Sequence, residues 1–186
     1  GLANKRLVAT LRATGVDAVG LSALDGGTVE VERHADASLL GAVGQVVAVH
    51  PQLLETLLGQ GRTPVLASIG ADGEQLFNIN ADDLAAGLAG ALRARALLLL
   101  SDTPGLRLDG RVVTRLGAHE VVGALAHPDV KDGMRPKLRA AAAAIEAGAQ
   151  RVVIGAWAGP GTLTALLAGE GGGTTLVADA LEATHG

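Results

Sequence analysis

LFNINADDLAAGLAGALRARALLLLS, residues 76 to 101, passes from an extended piece to a helix and on to a strand without an intervening linker. Leu76 to Asn78 reads as extended, Asn80 to Arg93 as a long helix, and Leu97 to Ser101 as an almost wholly apolar strand. An apolar run of that kind marks a strand buried on both faces, which in turn requires helices to cover it. The same alternation extends in both directions. Before it come a helix over residues 2 to 14 closed by Gly15, a strand Ala18 to Ser22, hairpin-turn chemistry at Asp25-Gly26-Gly27 and alternation from Thr28 to His34. An apolar run Val46 to His50 then leads through Pro51 into a helix ending near Gly59, and Thr63 to Ile69 is the strand that follows. After it, Arg111 to Thr114 is extended, Gly117 to Ala126 and Pro136 to Ala147 are helical, Val152 to Ile154 and Thr174 to Val177 are strands around a short helix Thr162 to Leu167, and the tail after Ala178 is a terminal helix or frayed. Short apolar strands alternating with amphipathic helices predict an α/β fold with a mostly parallel sheet covered on both faces. A soft lobe boundary falls near Ala71, dividing the chain into residues 1–70 and 71–186.

Composition narrows the functions. Hydrophobic residues are 48% of the chain and aromatic residues 1%, so the core is built from Leu, Val, Ile and Ala, with few rings on which nucleic-acid bases could stack. A net charge of −4 gives no overall attraction for a phosphate backbone or an anionic membrane. With no cysteine, disulfides, thiolate metal sites and thiol nucleophiles are excluded together. No apolar run reaches membrane-spanning length and no secretory signal is visible, so a cytoplasmic location is the default expectation. The helical pattern begins at once after Gly1, which reads as a chain that starts in mid-fold.

The most informative polar segment is Asp132-Gly133-Met134-Arg135-Pro136-Lys137. Pro136 suits the first helical position and pushes Arg135 toward an extended conformation. Lys137 would then sit in the first turn, where the helix dipole disfavours a cation unless an anion is bound at the same terminus. The chain has three lysines, Lys5, Lys131 and Lys137, among 15 Lys and Arg residues, and two of the three bracket this turn. A compact point charge serves a phosphoryl group in a way arginine does not; the alternative is a solvated basic turn with Arg135 and Arg139. Asn80 is a good N-cap, and Asp82 and Asp83 suit the helix dipole, but capping leaves Asn78 unexplained. Ser101-Asp102-Thr103-Pro104-Gly105 follows the apolar strand, where ligands of open α/β sheets bind, although a plain Pro-Gly turn would read the same way. Gly169 to Gly173 lacks the Lys-Ser/Thr of a phosphate loop and precedes a strand. The five histidines show no metal-ligand spacing and read as surface or satisfied core residues.

Taken in order, TGVDAVGLSALDGG (Thr14 to Gly27), PVLASIGADGEQLFNINAD (Pro64 to Asp82), LLLLSDTPGL (Leu97 to Leu106), DGMRPKLRAA (Asp132 to Ala141) and GTTL (Gly173 to Leu176) resemble the amino-acid kinase family, most closely its members that phosphorylate N-acetyl-L-glutamate. The resemblance implies a three-layer αβα sandwich on a mostly parallel open sheet, with an N-terminal lobe for the acyl amino acid, a C-terminal lobe for ATP, and Mg²⁺ carried by the nucleotide. It implies that Asn78, with Asn80, holds the substrate, that Asp82 orients the catalytic lysines and that Lys137 stabilises the transferring phosphoryl group. Ser101, Asp102, Thr103, Gly105, Asp132, Gly133 and Met134 would contact the nucleotide. The acceptor would be a side-chain carboxylate and the product an acyl phosphate of arginine biosynthesis, made by a homo-oligomer. Such a kinase begins with a strand carrying a phosphate-binding lysine and glycines, then a second glycine-rich turn and a substrate-binding arginine. None has a counterpart here, so this is expected to be the C-terminal part of such a chain. Two alternatives remain open: a kinase for carrier-protein-linked glutamate or aminoadipate, and a non-catalytic nucleotide-binding or assembly module.

Overall fold

The computed structural model describes residues 1–35, 41–131 and 133–179. They fall into two compact units that divide after Leu88. The boundary lies later than the turn at Ala71 suggests, because the strands around that turn pair back onto the first unit.

The first unit holds α1 (Leu2–Ala13), β1 (Ala18–Ser22), β2 (Val29–Arg33), β3 (Val43–Val49), α2 (Gln52–Gly59), β4 (Thr63–Ala67), β5 (Ile69–Asp72), β6 (Gln75–Ile79) and most of α3 (Ala81–Ala91). Asp25-Gly26-Gly27 does not join two strands of one hairpin. It forms a 3₁₀ turn, and β1 pairs in parallel with β4 while β2 pairs with β3. The Asp25 carboxylate accepts the backbone N–H of Ser22 at 2.7 Å and its hydroxyl at 2.8 Å, and these bonds hold the Asp25 pKa below the ordinary carboxylate value. The turn thereby carries the chain into a second sheet of order β2-β3-β6-β5. Its core is Ala23, Val29, Val31, Phe77, Ile79 and Leu84. Helix α1 lies on β1 and β4. Its Asn4 amide donates to Leu21 and Val65 carbonyls at 3.2 and 2.8 Å, which staples the helix to both strands.

Helix α3 is capped as the sequence suggests. The Asn80 side-chain oxygen accepts the N–H groups of Asp82 (2.9 Å) and Asp83 (3.2 Å). Asn80→Ala is therefore expected to destabilise the protein by about 1 kcal/mol, the ordinary worth of an N-cap. Urea denaturation checks this, and an unchanged midpoint would mean that water replaces the cap without loss.

The second unit, from Ala89 on, holds β7 (Leu97–Ser101), β8 (Arg107–Leu108), β9 (Arg111–Val112), β10 (Arg115–Gly117), α4 (Val121–Ala126), α5 (Met134–Glu146), β11 (Arg151–Ala156), α6 (Thr162–Ala168) and β12 (Thr174–Val177). Its sheet has the order β10-β12-β11-β7. β7 and β11 are parallel, β12 runs against β11, and β8–β9 is a separate hairpin. The α/β class holds, with mixed sheets in place of a mostly parallel one: β2–β3 and β5–β6, the latter closed by the tight turn Gly73-Glu74, are antiparallel in the first unit's sheet, and β11–β12 in the second unit's. Buried Leu138, Ala141 and Ile145 recur at helical spacing on α5, which packs on β11 and β12, where Val152, Ile154 and Leu176 are fully buried. Small alanines at 140, 141 and 144 let the helix approach the strands closely.

Helix α5 begins two residues earlier than the proline suggests. Pro136 is its third residue, and Arg135 is helical, not extended. A helix's first N–H groups have no intrahelical partner, so proline is tolerated throughout the first turn. No helix among the described residues is long and apolar enough to cross a membrane. The terminal helix expected after Ala178 falls mostly on residues 180–186, outside the described ones.

Candidate functional site

Six of the residues expected at a nucleotide come together in the second unit. Ser101, Asp102, Thr103 and Gly105 after β7, and Gly133 and Met134 at the start of α5, line one pocket of about 290 Å³. Asp132 lies outside the described residues. Residues that were not singled out in the sequence complete the wall: Leu106 and Arg107 from the hairpin side, and Asp129, Val130 and Lys131 from the loop before α5.

Each rim has a local cause. The Ser101 hydroxyl donates to Asp102 at 3.1 Å and accepts the Thr103 N–H at 3.4 Å, which turns the chain sharply as it leaves β7. Gly105 follows at φ +145, and a Cβ there would stand 2.7 Å from the Thr174 hydroxyl oxygen. Both the backbone angle and the space demand glycine. Buried Thr174 accepts the Leu106 N–H at 2.8 Å and donates to the Val113 carbonyl at 2.6 Å, fixing both flanks of the hairpin.

The opposite rim is the N-terminal end of α5. Among the described residues it has no side-chain cap, and no acid lies in its first turn. Its amides are less available than a bare terminus would offer, since Met134 and Arg135 both donate to the Lys131 carbonyl. Attraction for an anion at this end therefore comes from the helix dipole and lysine charge more than from open N–H groups. Lys131 is exposed on the pocket wall, and Lys137 is half-buried one turn into the helix. The Arg135 guanidinium donates to the Leu125 carbonyl at 2.9 Å and ties α5 to the end of α4, and Arg135 is not among the residues that line the pocket. Lys131 is the basic residue of this turn that lines the pocket.

In the first unit, Asn78 is exposed on β6 and lines a groove of about 400 Å³ with Asn4, Ser68 and the backbone of β4. The Asn80 oxygen is committed to its cap, so a substrate contact from this residue would have to use its amide nitrogen. Asp82 sits in the first turn of α3 beside Asp83. Lost hydration, then the neighbouring Asp82 charge, raises the Asp83 pKa above the ordinary value, with His34 acting in the opposite direction.

Three further titratable groups meet beside the pocket: Asp109, His127 and Asp129 present ligand-type atoms within 4.8 Å of one another. Sequence spacing hides the cluster, because a hairpin tip and a distant loop supply it. Two backbone amides of the cluster bond to its own side chains. Asp129 accepts the Asp109 N–H at 2.7 Å, and the His127 ring accepts the Asp129 N–H at 3.2 Å. Elsewhere, His50 pairs with Glu30 and His119 with Asp179, whose hydrogen bond raises the His119 pKa.

A model of the amino acid kinase family matches residues 1–156. The chain is 43% identical to an acetylglutamate kinase of Methanopyrus kandleri, over 83% of this chain and 67% of that one. It is 45% identical to an acetylglutamate kinase of Rubrobacter xylanophilus, over 83% of this chain and 60% of that one. The chain thus spans about 60 to 67% of the length of these relatives. Among solved structures, smu.665 from Streptococcus mutans superposes with a TM-score of 0.79 at 30% identity, covering 96% of this chain and 68% of that one.

Proposed function

The chain belongs to the amino acid kinase family, and from that premise we propose that it transfers the γ-phosphoryl group of ATP to the side-chain carboxylate of N-acetyl-L-glutamate, as a cytoplasmic arginine-biosynthetic kinase or part of one. The carboxylate oxygen forms a bond to Pγ, the bond from Pγ to the β,γ-bridging oxygen breaks, and ADP leaves. The acceptor is already ionised at neutral pH, so no proton need be removed from it. The protein's task is then positioning and charge neutralisation.

The observation that carries this reading is the single pocket shared by Ser101, Asp102, Thr103, Gly105, Gly133 and Met134 at the carboxyl end of β7. Hydroxyls and backbone on one rim and the α5 terminus with Lys131 on the other suit a polyphosphate. In this reading Lys137 neutralises the transferring group, Asp82 is the carboxylate that orients the catalytic lysines, and Asn78 and Asn80 hold the acyl amino acid, while Mg²⁺ arrives with the nucleotide. The kinship with acetylglutamate kinases favours a free acylated amino acid over a carrier-linked one.

Calorimetric titration with Mg-ADP, followed by hydroxylamine trapping of product from Mg-ATP and N-acetyl-L-glutamate, tests the proposal. One-site binding and a hydroxamate that needs both substrates are expected. Binding without hydroxamate would leave a non-catalytic nucleotide-binding module. A folded chain that neither binds nor turns over would end the reading.

A further inference from the structure

The hairpin β8–β9 has two residues in each strand, and an isolated pair of that size is marginal in water. Contacts at its two ends must hold it in place. Its root is fixed from within the unit, by Leu106 through Thr174 and by the Val113 N–H donating to the Leu106 carbonyl at 2.8 Å. Its tip, Asp109-Gly110, has positive φ at both positions (+49 and +75), as a tight two-residue hairpin turn requires. That tip is held differently. The Asp109 N–H donates to the Asp129 carboxylate at 2.7 Å, and the Asp129 N–H in turn donates to the half-buried His127 ring. Within the hairpin, the Arg107 guanidinium donates to the Gly110 carbonyl at 2.9 Å, so the tip and Arg107 move as one piece.

Arg107 and Asp129 both line the nucleotide pocket, from opposite sides of this tip contact. The bond between Asp109 and Asp129 therefore fixes the distance between two walls of the pocket. A hydrogen bond to an ionised carboxylate is stronger than a neutral one, yet here it closes at an exposed edge where water competes. We propose that the β8–β9 hairpin is a movable wall of the nucleotide pocket, that Asp129 is the positioning residue that latches its tip, and that Arg107 is the nucleotide-contacting residue through which the latch acts. The nucleotide part of this proposal rests on the kinase reading; the latch itself does not. It assigns the Asp129 carboxylate a use that needs no metal ion, since that carboxylate already accepts the Asp109 N–H.

Two measurements on the full chain test it: exchange of the Asp109 amide hydrogen in the free protein, and affinity for Mg-ADP. Asp129→Ala is expected to speed Asp109 exchange and to weaken Mg-ADP binding, each by about tenfold, the size of one charge-assisted hydrogen bond. Asp129→Asn keeps an oxygen acceptor and is expected to recover most of both losses. In an Arg107→Ala background, Asp129→Ala should add little further loss of affinity, because two residues acting through one wall are not additive. Unchanged Asp109 exchange in Asp129→Ala would overturn the latch. Full additivity with Arg107→Ala would overturn its route through the hairpin and make Asp129 a direct contact. Failure of the parent chain to bind Mg-ADP would sink the kinase reading and the wall's role in nucleotide binding, while Asp109 exchange would still decide the latch.

Discussion

Lys137→Ala is expected to lower the turnover of N-acetyl-L-glutamate and Mg-ATP by about 10²–10³-fold, the loss that follows removal of one preorganised electrostatic stabiliser. The residue stands one turn into α5, behind the pocket rim formed by Gly133 and Met134. Nearby, Arg135 is bonded to the Leu125 carbonyl, and Arg139 is exposed further along the helix. A charge that matters most as the phosphoryl group passes between oxygens should cost far more in kcat than in Mg-ADP affinity, which we expect to change by less than about tenfold. Lys137→Arg should not rescue turnover, because a planar fork cannot take the place of a compact ammonium. A hydroxamate assay alongside Mg-ADP titration separates the two effects. Turnover surviving the alanine substitution would remove Lys137 from the chemistry.

What could be read in advance follows the range of the interaction concerned. β1, β7 and β12 have the bounds their runs suggest, Ala18–Ser22, Leu97–Ser101 and Thr174–Val177, because a short run of that kind is a local signal. The burial expected of β7 is not met, since it ends the sheet order, with Leu99 buried and Leu100 exposed. Asn80 caps α3 as expected, since a cap depends on residues two and three positions away. Pairing is a different matter. Asp25-Gly26-Gly27 has hairpin composition, but the Ser22–Asp25 bonds build a 3₁₀ turn and send β2 to a different sheet. Pro136 was a sound marker of a helix start and an unsound marker of its first residue, because three positions of a first turn tolerate it equally.

The pocket shows the same division. Ser101 to Gly105 and Gly133-Met134 were legible because each follows a recognisable strand end or precedes a helix. Arg107, Asp129 and Lys131 were not, since their membership depends on how a hairpin and a loop fold across from them. Asp129 is legible only after the Asp109 amide is seen to need an acceptor. Asn78, the one polar residue capping left unexplained, does line a groove in the first unit, though the residues beside it, Asn4 and Ser68, carried no signal of their own.

Thr174→Val should destabilise the second unit by about 3 kcal/mol, since it strands one buried donor and one buried acceptor, each worth about 1–3 kcal/mol unpaired. The side chain is fully buried, and valine preserves its shape, so packing loss adds little. What disappears is a hydroxyl that accepts from Leu106 and donates to Val113, residues far away in sequence on the two flanks of the hairpin. Thr174→Ser keeps both bonds and should lose only about 1 kcal/mol for the missing methyl. The single tryptophan, Trp157, belongs to the same unit, so its fluorescence during urea unfolding can report the difference. The comparison also bears on the site. Leu106 and Gly105 line the pocket and owe their placement to this hydroxyl, so the valine variant should bind Mg-ADP less tightly than the serine variant even in urea-free buffer where both are folded. Equal stability of the two variants would mean that the backbone relaxes to find other partners. The pocket's wall would then be held by the strands alone.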